Sequence, residues 1–283
     1  MMKGWIHLAR RNIQSCSRLM CPQAPVATEG VSRASEGSLY RIYLDRPTVF
    51  NAFHIPMFYE LASALREADR DGESKITVLS GKGKLFTAGN DLNNMGDGKQ
   101  TVEEAAKSLS DAAKACFAAF IDHEKPIVVL VNGPAYGIGV TCLPLCDVVI
   151  ASDNAVFNTP FTPLGYSPEG CSTYTFPRIF GTSRAQEMLL FNRTITAQEA
   201  LEWGLVSRVI PRKDFPQKTE EILTEWARLP RDSLRINKSV VRGEEKALLH
   251  SVNDREMETL KVRFASEESL KATKEFLESR KKK

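Results

Sequence analysis

Apolar positions along the chain recur at two-residue spacing in some stretches and at three- and four-residue spacing in others, and the switches mark the predicted elements. LYRIYL (39–44) alternates, is rich in large side chains and reads as a strand that Arg46-Pro47 stops. Pro56 then sits at a helix start, and Met57, Leu61, Leu65 and Ala68 line one face of an amphipathic helix to about Asp69. KITVLSG (75–81) is the next strand, so the order is strand, helix, strand, as in a parallel crossover unit. After a tight turn at 88–91, Thr101 and Glu104 form a capping box for an Ala-rich helix to about Ile121. IVVLV (127–131) has the unbroken β-favouring run of a buried strand. A glycine turn, a short helix at 140–145 and a strand at 147–152 repeat the unit. Helices are predicted near 183–191 and from a second capping box, Thr196 to Glu199, as far as Gly204. Beyond Pro216 the pattern is almost wholly helical, broken at Leu229-Pro230 and Gly243. Six or seven strands followed by helices predict an α/β core over 38–210 and a helical module over 211–283.

The first residues follow a different pattern. Residues 1–28 contain no Asp or Glu, and a helical winding puts Lys3, Arg10, Arg11 and Arg18 opposite Trp5, Leu8, Ile13, Cys16, Leu19 and Met20. That is the composition of a mitochondrial transit peptide, and a disordered basic tail is the other reading. Residues 29–37, small and polar, read as linker.

Composition narrows the field further. With 42% apolar and 26% charged residues the chain is an ordinary globular protein with a sizeable core. A net charge of +3, most conspicuous at 280–283, gives no basic stripe for nucleic acid. The six cysteines form no C-x-x-C pair and no zinc spacing with histidine, so no metal is expected, and Cys142 and Cys146 read as core. The apolar region 126–151 is interrupted by Asn132, Asp147, glycines and prolines. It falls short of the ~20 uninterrupted apolar residues that membrane insertion needs. His54, His123 and His250 lie at predicted helix ends or in charged stretches and read as surface residues, with no nucleophile triad among them.

Two turns share one design. AGND (88–91) and GIGV (137–140) each follow a strand and open a helix, where the first backbone N–H groups have no internal partner. Two such donors aimed at one point make an oxyanion hole. Taken alone, each is also a glycine-containing β–α turn of the kind any α/β protein holds. Glu169, in SPEG, is a solitary carboxylate downstream of the second turn.

Five blocks together are more specific: FTAGNDL (86–92), KPIVVLVNGPAYGIG (125–139), LCDVVIAS (145–152), FNTPFTPLGYSPEGCSTYTFPRIFG (157–181) and ITAQEALEWGLV (195–206). In this order they closely resemble the crotonase, or enoyl-CoA hydratase/isomerase, superfamily, over about 38–280. Within it the chain is most similar to the delta-3, delta-2-enoyl-CoA isomerases of the peroxisomal type. The resemblance implies a crotonase-like fold of repeated β-β-α units with a C-terminal helical trimerisation module, and a homotrimer or dimer of trimers.

It further implies that the amides of Ala88 and Ile138 are the oxyanion donors and that Ala88, Gly89, Asn90, Asp91 and Leu92 line the acyl-CoA site. Hydratases of the superfamily carry two glutamates, at positions that are Thr141 and Phe161 here. Glu169 matches the isomerases' catalytic glutamate. The implied reaction converts 3-enoyl-CoA to trans-2-enoyl-CoA in β-oxidation, with no cofactor beyond the CoA of the substrate. Asp91, Asn94 and Asn158 read as cap or turn residues. The rivals are a non-catalytic acyl-CoA-binding module, whose relatives fused to chromodomains have Asp at the position of Glu169, and a weak hydratase or dienoyl-CoA isomerase. Peroxisomal relatives often end in Ser-Lys-Leu, whereas this sequence ends in three lysines, so the expected compartment is the mitochondrial matrix, with the peroxisome as alternative.

Overall fold

The computed structural model describes residues 30–95 and 100–281, so the predicted transit peptide at 1–28 lies outside the described residues. The chain begins with strands β1 (Val31–Glu36) and β2 (Leu39–Leu44), then helix α1 (Ile55–Arg70) and β3 (Ile76–Gly81). Helix α2 (Val102–Asp122) leads to β4 (Ile127–Val131), the two-residue β5 (Ala135–Tyr136) and the single-turn α3 (Ile138–Thr141). Strands β6 (Val148–Ser152) and β7 (Val156–Asn158) follow, then α4 (Ser172–Phe180), α5 (Thr182–Leu189), β8 (Ile195–Thr196), α6 (Ala197–Glu202) and β9 (Arg208–Ile210). Four helices close the chain: α7 (Phe215–Trp226), α8 (Arg231–Arg242), α9 (Lys246–Phe264) and α10 (Glu267–Lys281).

The main sheet has the order β1-β2-β3-β4-β6-β9. All its neighbours pair in parallel except β1 with β2. Parallel strands are covered on both faces, which is why the apolar run on β4 is continuous and β3 is interrupted only by the buried Thr77 before its polar end. Alternation still sorts them. Ile127, Val129 and Val131 face the larger core with α1, α2 and α9, whereas Val128 and Leu130 face a smaller one with Phe215 and Leu223 of α7. Helix α7 therefore covers the second face of the core sheet instead of belonging to an appended module.

Both predicted capping boxes form: Glu104 N–H donates to Thr101 Oγ1 and Glu199 N–H to Thr196 Oγ1, each at 3.2 Å. Two sequence expectations are corrected. Residues 31–36, read as linker, form the edge strand β1, in register Val31 with Leu44 through Glu36 with Leu39. Their small polar side chains suit an exposed edge, and only Val31 is fully buried. The short helix expected at 140–145 begins at Ile138 and gives way after Thr141 to a 3-10 turn, Leu143–Leu145, around Pro144.

A three-stranded sheet, β5-β7-β8, escaped the sequence reading because its strands are only two or three residues long. It matters for the site: Gly137 N–H donates to Asn158 O at 3.0 Å, fixing the second glycine turn to the end of β7.

Candidate active site

The two glycine turns lie side by side. Phe86 N–H donates to Pro134 O at 3.0 Å and Tyr136 N–H to Thr87 O at 3.1 Å, so residues 86–88 run parallel to 134–136. At their tips a Cβ on Gly89 would stand 3.0 Å from Tyr136 O, so the approach needs glycine there. Gly137 adopts φ 53° and ψ −121°, a conformation open in practice only to glycine, and its carbonyl accepts from Val140 N–H and Thr141 N–H. The Ile138 amide stands at the head of α3. Among the described residues it has no acceptor.

The Ala88 amide is different from expectation. It donates to Phe50 O at 2.8 Å, so it is already engaged. The cause is a loop far upstream: Phe50 and Asn51 both take φ 56°, which turns the Phe50 carbonyl toward the first glycine turn. Asn51 locks that loop by donating to the carbonyls of Lys82, Leu85 and Phe86, and Thr87 Oγ1 donates to Asn51 O at 2.7 Å.

The rest of the first turn is held in the same way. Gly89 N–H donates to Thr87 Oγ1 at 3.0 Å, Gly89 O accepts from Phe53 N–H, and Asp91 N–H donates to Phe53 O. Asp91 carries an ion pair with Arg46 at 3.5 Å and accepts from Asn93 N–H, while Asn94 spans Phe53 O, Asn90 Oδ1 and Ile55 N–H. Both are turn residues, as their type suggested, and Asn158 likewise bonds only Asn192 through its amide. Leu92 opens a 3-10 turn, Leu92–Met95. Among the described residues the buried Nδ2 of Asn90 has no hydrogen-bond partner.

Glu169 lies next to α3, through its neighbour Gly170, which packs on Thr141. It is 8% exposed, and burial first, then the charge of Glu256, pushes its carboxyl up to about 8. Gly170 seats it: at φ 68°, a Cβ there would fall 2.6 Å from Thr141 Oγ1 and 2.9 Å from a Phe117 ring carbon. The residue after Glu169 thus packs directly on Thr141, in the helix that the Ile138 turn opens. The loop before it is braced from the C-terminus, by Arg263 Nε donating to Gly165 O at 2.8 Å and by Tyr166 Oη bonded to Thr273 at 3.1 Å. Replacing Gly170 with alanine adds left-handed strain of ~1–2 kcal/mol and the overlap with Thr141. We expect Gly170→Ala to lose ~2–4 kcal/mol of stability in urea unfolding, and an unchanged midpoint would refute this seat.

The hydratase positions hold no acid. Thr141 and Phe161 are both buried, and Thr141 Oγ1 has no hydrogen-bond partner. A second carboxylate does stand near Glu169, but from a helix the sequence reading passed over. Glu256 on α9 is 4% exposed, with Cys171 N–H at 2.6 Å, Thr173 N–H at 2.9 Å and Thr173 Oγ1 at 2.6 Å donating to it. One signal was available: Val252, Asn253, Glu256, Met257, Leu260 and Phe264 form one buried stripe at helical spacing.

His123 corrects another expectation. Read as a surface residue, it is 3% exposed between Thr77 Oγ1 at 2.8 Å and Asp69, and burial lowers its pKa. Among the described residues no cluster of three His, Cys, Asp or Glu side chains could hold a metal, and no helix is long and apolar enough to cross a membrane. Cys142 and Cys146 are buried and unpaired.

Residues 34–283 match the family described as enoyl-CoA hydratase/isomerase. The chain is 43% identical over 250 residues to rat enoyl-CoA delta isomerase 2, covering 88% of this chain and 64% of that protein. It is 40% identical over 243 residues to mouse enoyl-CoA delta isomerase 3, peroxisomal, covering 86% and 76%. The chain therefore spans just under two thirds of the rat relative's length. Among solved structures, an enoyl-CoA hydratase/isomerase from Pseudoalteromonas atlantica T6c superposes with a TM-score of 0.80 at 31% identity, over 89% of this chain and 98% of that one.

Proposed function

The chain belongs to the enoyl-CoA hydratase/isomerase family, and from that premise we propose that it converts 3-enoyl-CoA to trans-2-enoyl-CoA, feeding unsaturated fatty acids into β-oxidation. One observation carries this reading: Glu169 is buried beside α3 with a raised pKa, while the hydratase positions are Thr141 and Phe161. Hydration needs two acid–base groups to handle water. A shift of a double bond needs one.

In the proposed reaction the Glu169 carboxylate takes a proton from C2 of the substrate. The electron pair moves toward the thioester, and the dienolate oxygen is received by the Ile138 N–H. The Ala88 N–H takes part only as a three-centre donor shared with Phe50 O, which makes it the weaker of the two. Glu169 then returns the proton at C4, so the acyl chain keeps its composition. Glu256 takes no proton in this cycle, because α4 donors occupy both of its oxygens. The reaction draws on no cofactor beyond the CoA of the substrate.

The raised pKa has a cost and a use. A carboxylate with pKa about 8 is a stronger base toward a weakly acidic C–H, but at pH 7 only roughly a tenth of it is ionised. Since the ionised form acts, kcat/KM is expected to rise about tenfold per pH unit on the acid side and to level off above about 8. A limb near pH 4.5 would contradict it.

Residues 88–92 line the acyl-CoA site in this reading. The exposed apolar face of α8, with Ile236 at 60%, Val240 at 75% and Val241 at 79% exposure, supports self-association, and the family resemblance supplies the expected homotrimer or dimer of trimers. Light scattering on the purified protein checks that. The acid-free, basic residues 1–28 support the mitochondrial matrix, and a fluorescent fusion with and without them separates this from the peroxisome. The reading itself is tested by supplying 3-hexenoyl-CoA and following the conjugated thioester absorbance. Binding without any 2-enoyl product would overturn it and leave an acyl-CoA-binding module.

A further inference from the structure

We propose that Glu256 is a positioning residue for Glu169: from α9 it holds the loop that carries the base and keeps a fixed negative charge beside it. This rests on the reading of Glu169 as the base. The geometry comes from α4, whose N-cap, Cys171, takes φ 61° and makes no side-chain cap of its own. Left alone, the first amides of α4 would stay unpaired in a buried place. Glu256 supplies the missing acceptors from a helix 85 residues away, Oε2 to Cys171 N–H and Oε1 to Thr173 N–H and Oγ1. Cys171 Sγ donates to Leu249 O at 3.3 Å, a second tie between the same two helices. Gly170 and Cys171 are consecutive left-handed residues, and Glu169 precedes them directly. Fixing Cys171 therefore fixes the base.

The two carboxylates have opposite surroundings. Burial pushes both up, but at Glu256 three donors and the nearby Arg255 pull back toward the ionised form. Nothing pulls Glu169 back. The other groups that feel the Glu169 charge are Cys116 of α2, Cys142 after α3 and Tyr166 of its own loop, each held neutral by burial. Around Glu256 the remaining titratable neighbour is Cys171, also raised by burial. Glu256 is thus the charge that acts on Glu169. Environments that drive two carboxylates apart assign their roles: one stays an anion and a strut, the other exchanges the proton.

The test is a titration of the full-length protein with its glutamate carboxyls carbon-13 labelled, followed by NMR without substrate. In Glu256→Gln the Glu169 signal is expected to titrate lower than in wild type, while burial still holds it above the ordinary glutamate range. Glu256 ionises while Glu169 is still protonated and neutral, so in Glu169→Gln the Glu256 titration should stay where it is in wild type. Glu256→Asp keeps the charge but shortens the arm, so it should leave the Glu169 titration high while kcat drops more than KM changes. An unchanged Glu169 titration in Glu256→Gln overturns the proposal. If that variant does not fold, a wild-type Glu256 signal that titrates together with or above the Glu169 signal overturns it equally. Failure of the isomerase reading has a separate sign: no turnover by the wild type, whatever the titrations show.

Discussion

Glu169→Gln is expected to lower kcat for 3-hexenoyl-CoA by at least ~10³-fold with little change in KM, because it removes the only group proposed to carry the proton. The same variant should be more stable than wild type at high pH. The fold raises the Glu169 carboxyl from 4.5 to about 8, so the native state binds this proton more tightly than the unfolded chain does. The stability that the proton confers is complete below about pH 4.5 and lost as pH rises through about 8. Gln carries no charge at any pH, so Glu169→Gln should gain ~2–4 kcal/mol over wild type above pH 8, and the gain should vanish near pH 4. Urea unfolding at both pH values checks it. A variant less stable than wild type at pH 9 would mean that Glu169 is a paired structural carboxylate and not a buried base.

The second large effect concerns the oxyanion. Ile138→Pro removes the amide at the head of α3, which has no acceptor among the described residues, and should cost ~10²–10³-fold in kcat, about 2.7–4 kcal/mol of transition-state stabilisation. Ile138→Val keeps the N–H and trims one methylene from a fully buried side chain, so it should retain kcat within a few fold and lose only ~0.5–1.5 kcal/mol of stability. Both are measured in the same assay, with melting curves alongside to confirm folding. Equal losses in the two variants would assign the effect to packing.

What the sequence made legible was whatever depends on local pattern. The β-favouring stretches of β3 and β4, the two capping boxes and the Gly137 turn each follow from residue types within a few positions of one another. Glu169 was legible through its flanking residues, and its absent hydratase partners through the identities of Thr141 and Phe161.

What stayed hidden depends on partners far along the chain. Nothing near Ala88 announces that Phe50 O will take its amide; that follows from left-handed residues in another loop. Glu256 sits beside the charged Asp254, Arg255 and Glu258, and only the buried stripe of α9 brings it inside. His123 has the same side chain whether it caps a surface helix or fills the space between Thr77 and Asp69. Residues 31–36 look like linker because an exposed edge strand needs hardly any apolar side chains. In each case the residue type was compatible with both environments, and the fold chose between them.

The central claim is that this site moves a double bond and does not add water to one. The most direct test gives the purified protein trans-2-hexenoyl-CoA, a substrate common to both reactions, separates the products by liquid chromatography and weighs each by mass spectrometry. The account predicts a mixture of 2- and 3-enoyl-CoA with unchanged mass, formed by wild type and not by Glu169→Gln. A product heavier by one water would contradict it.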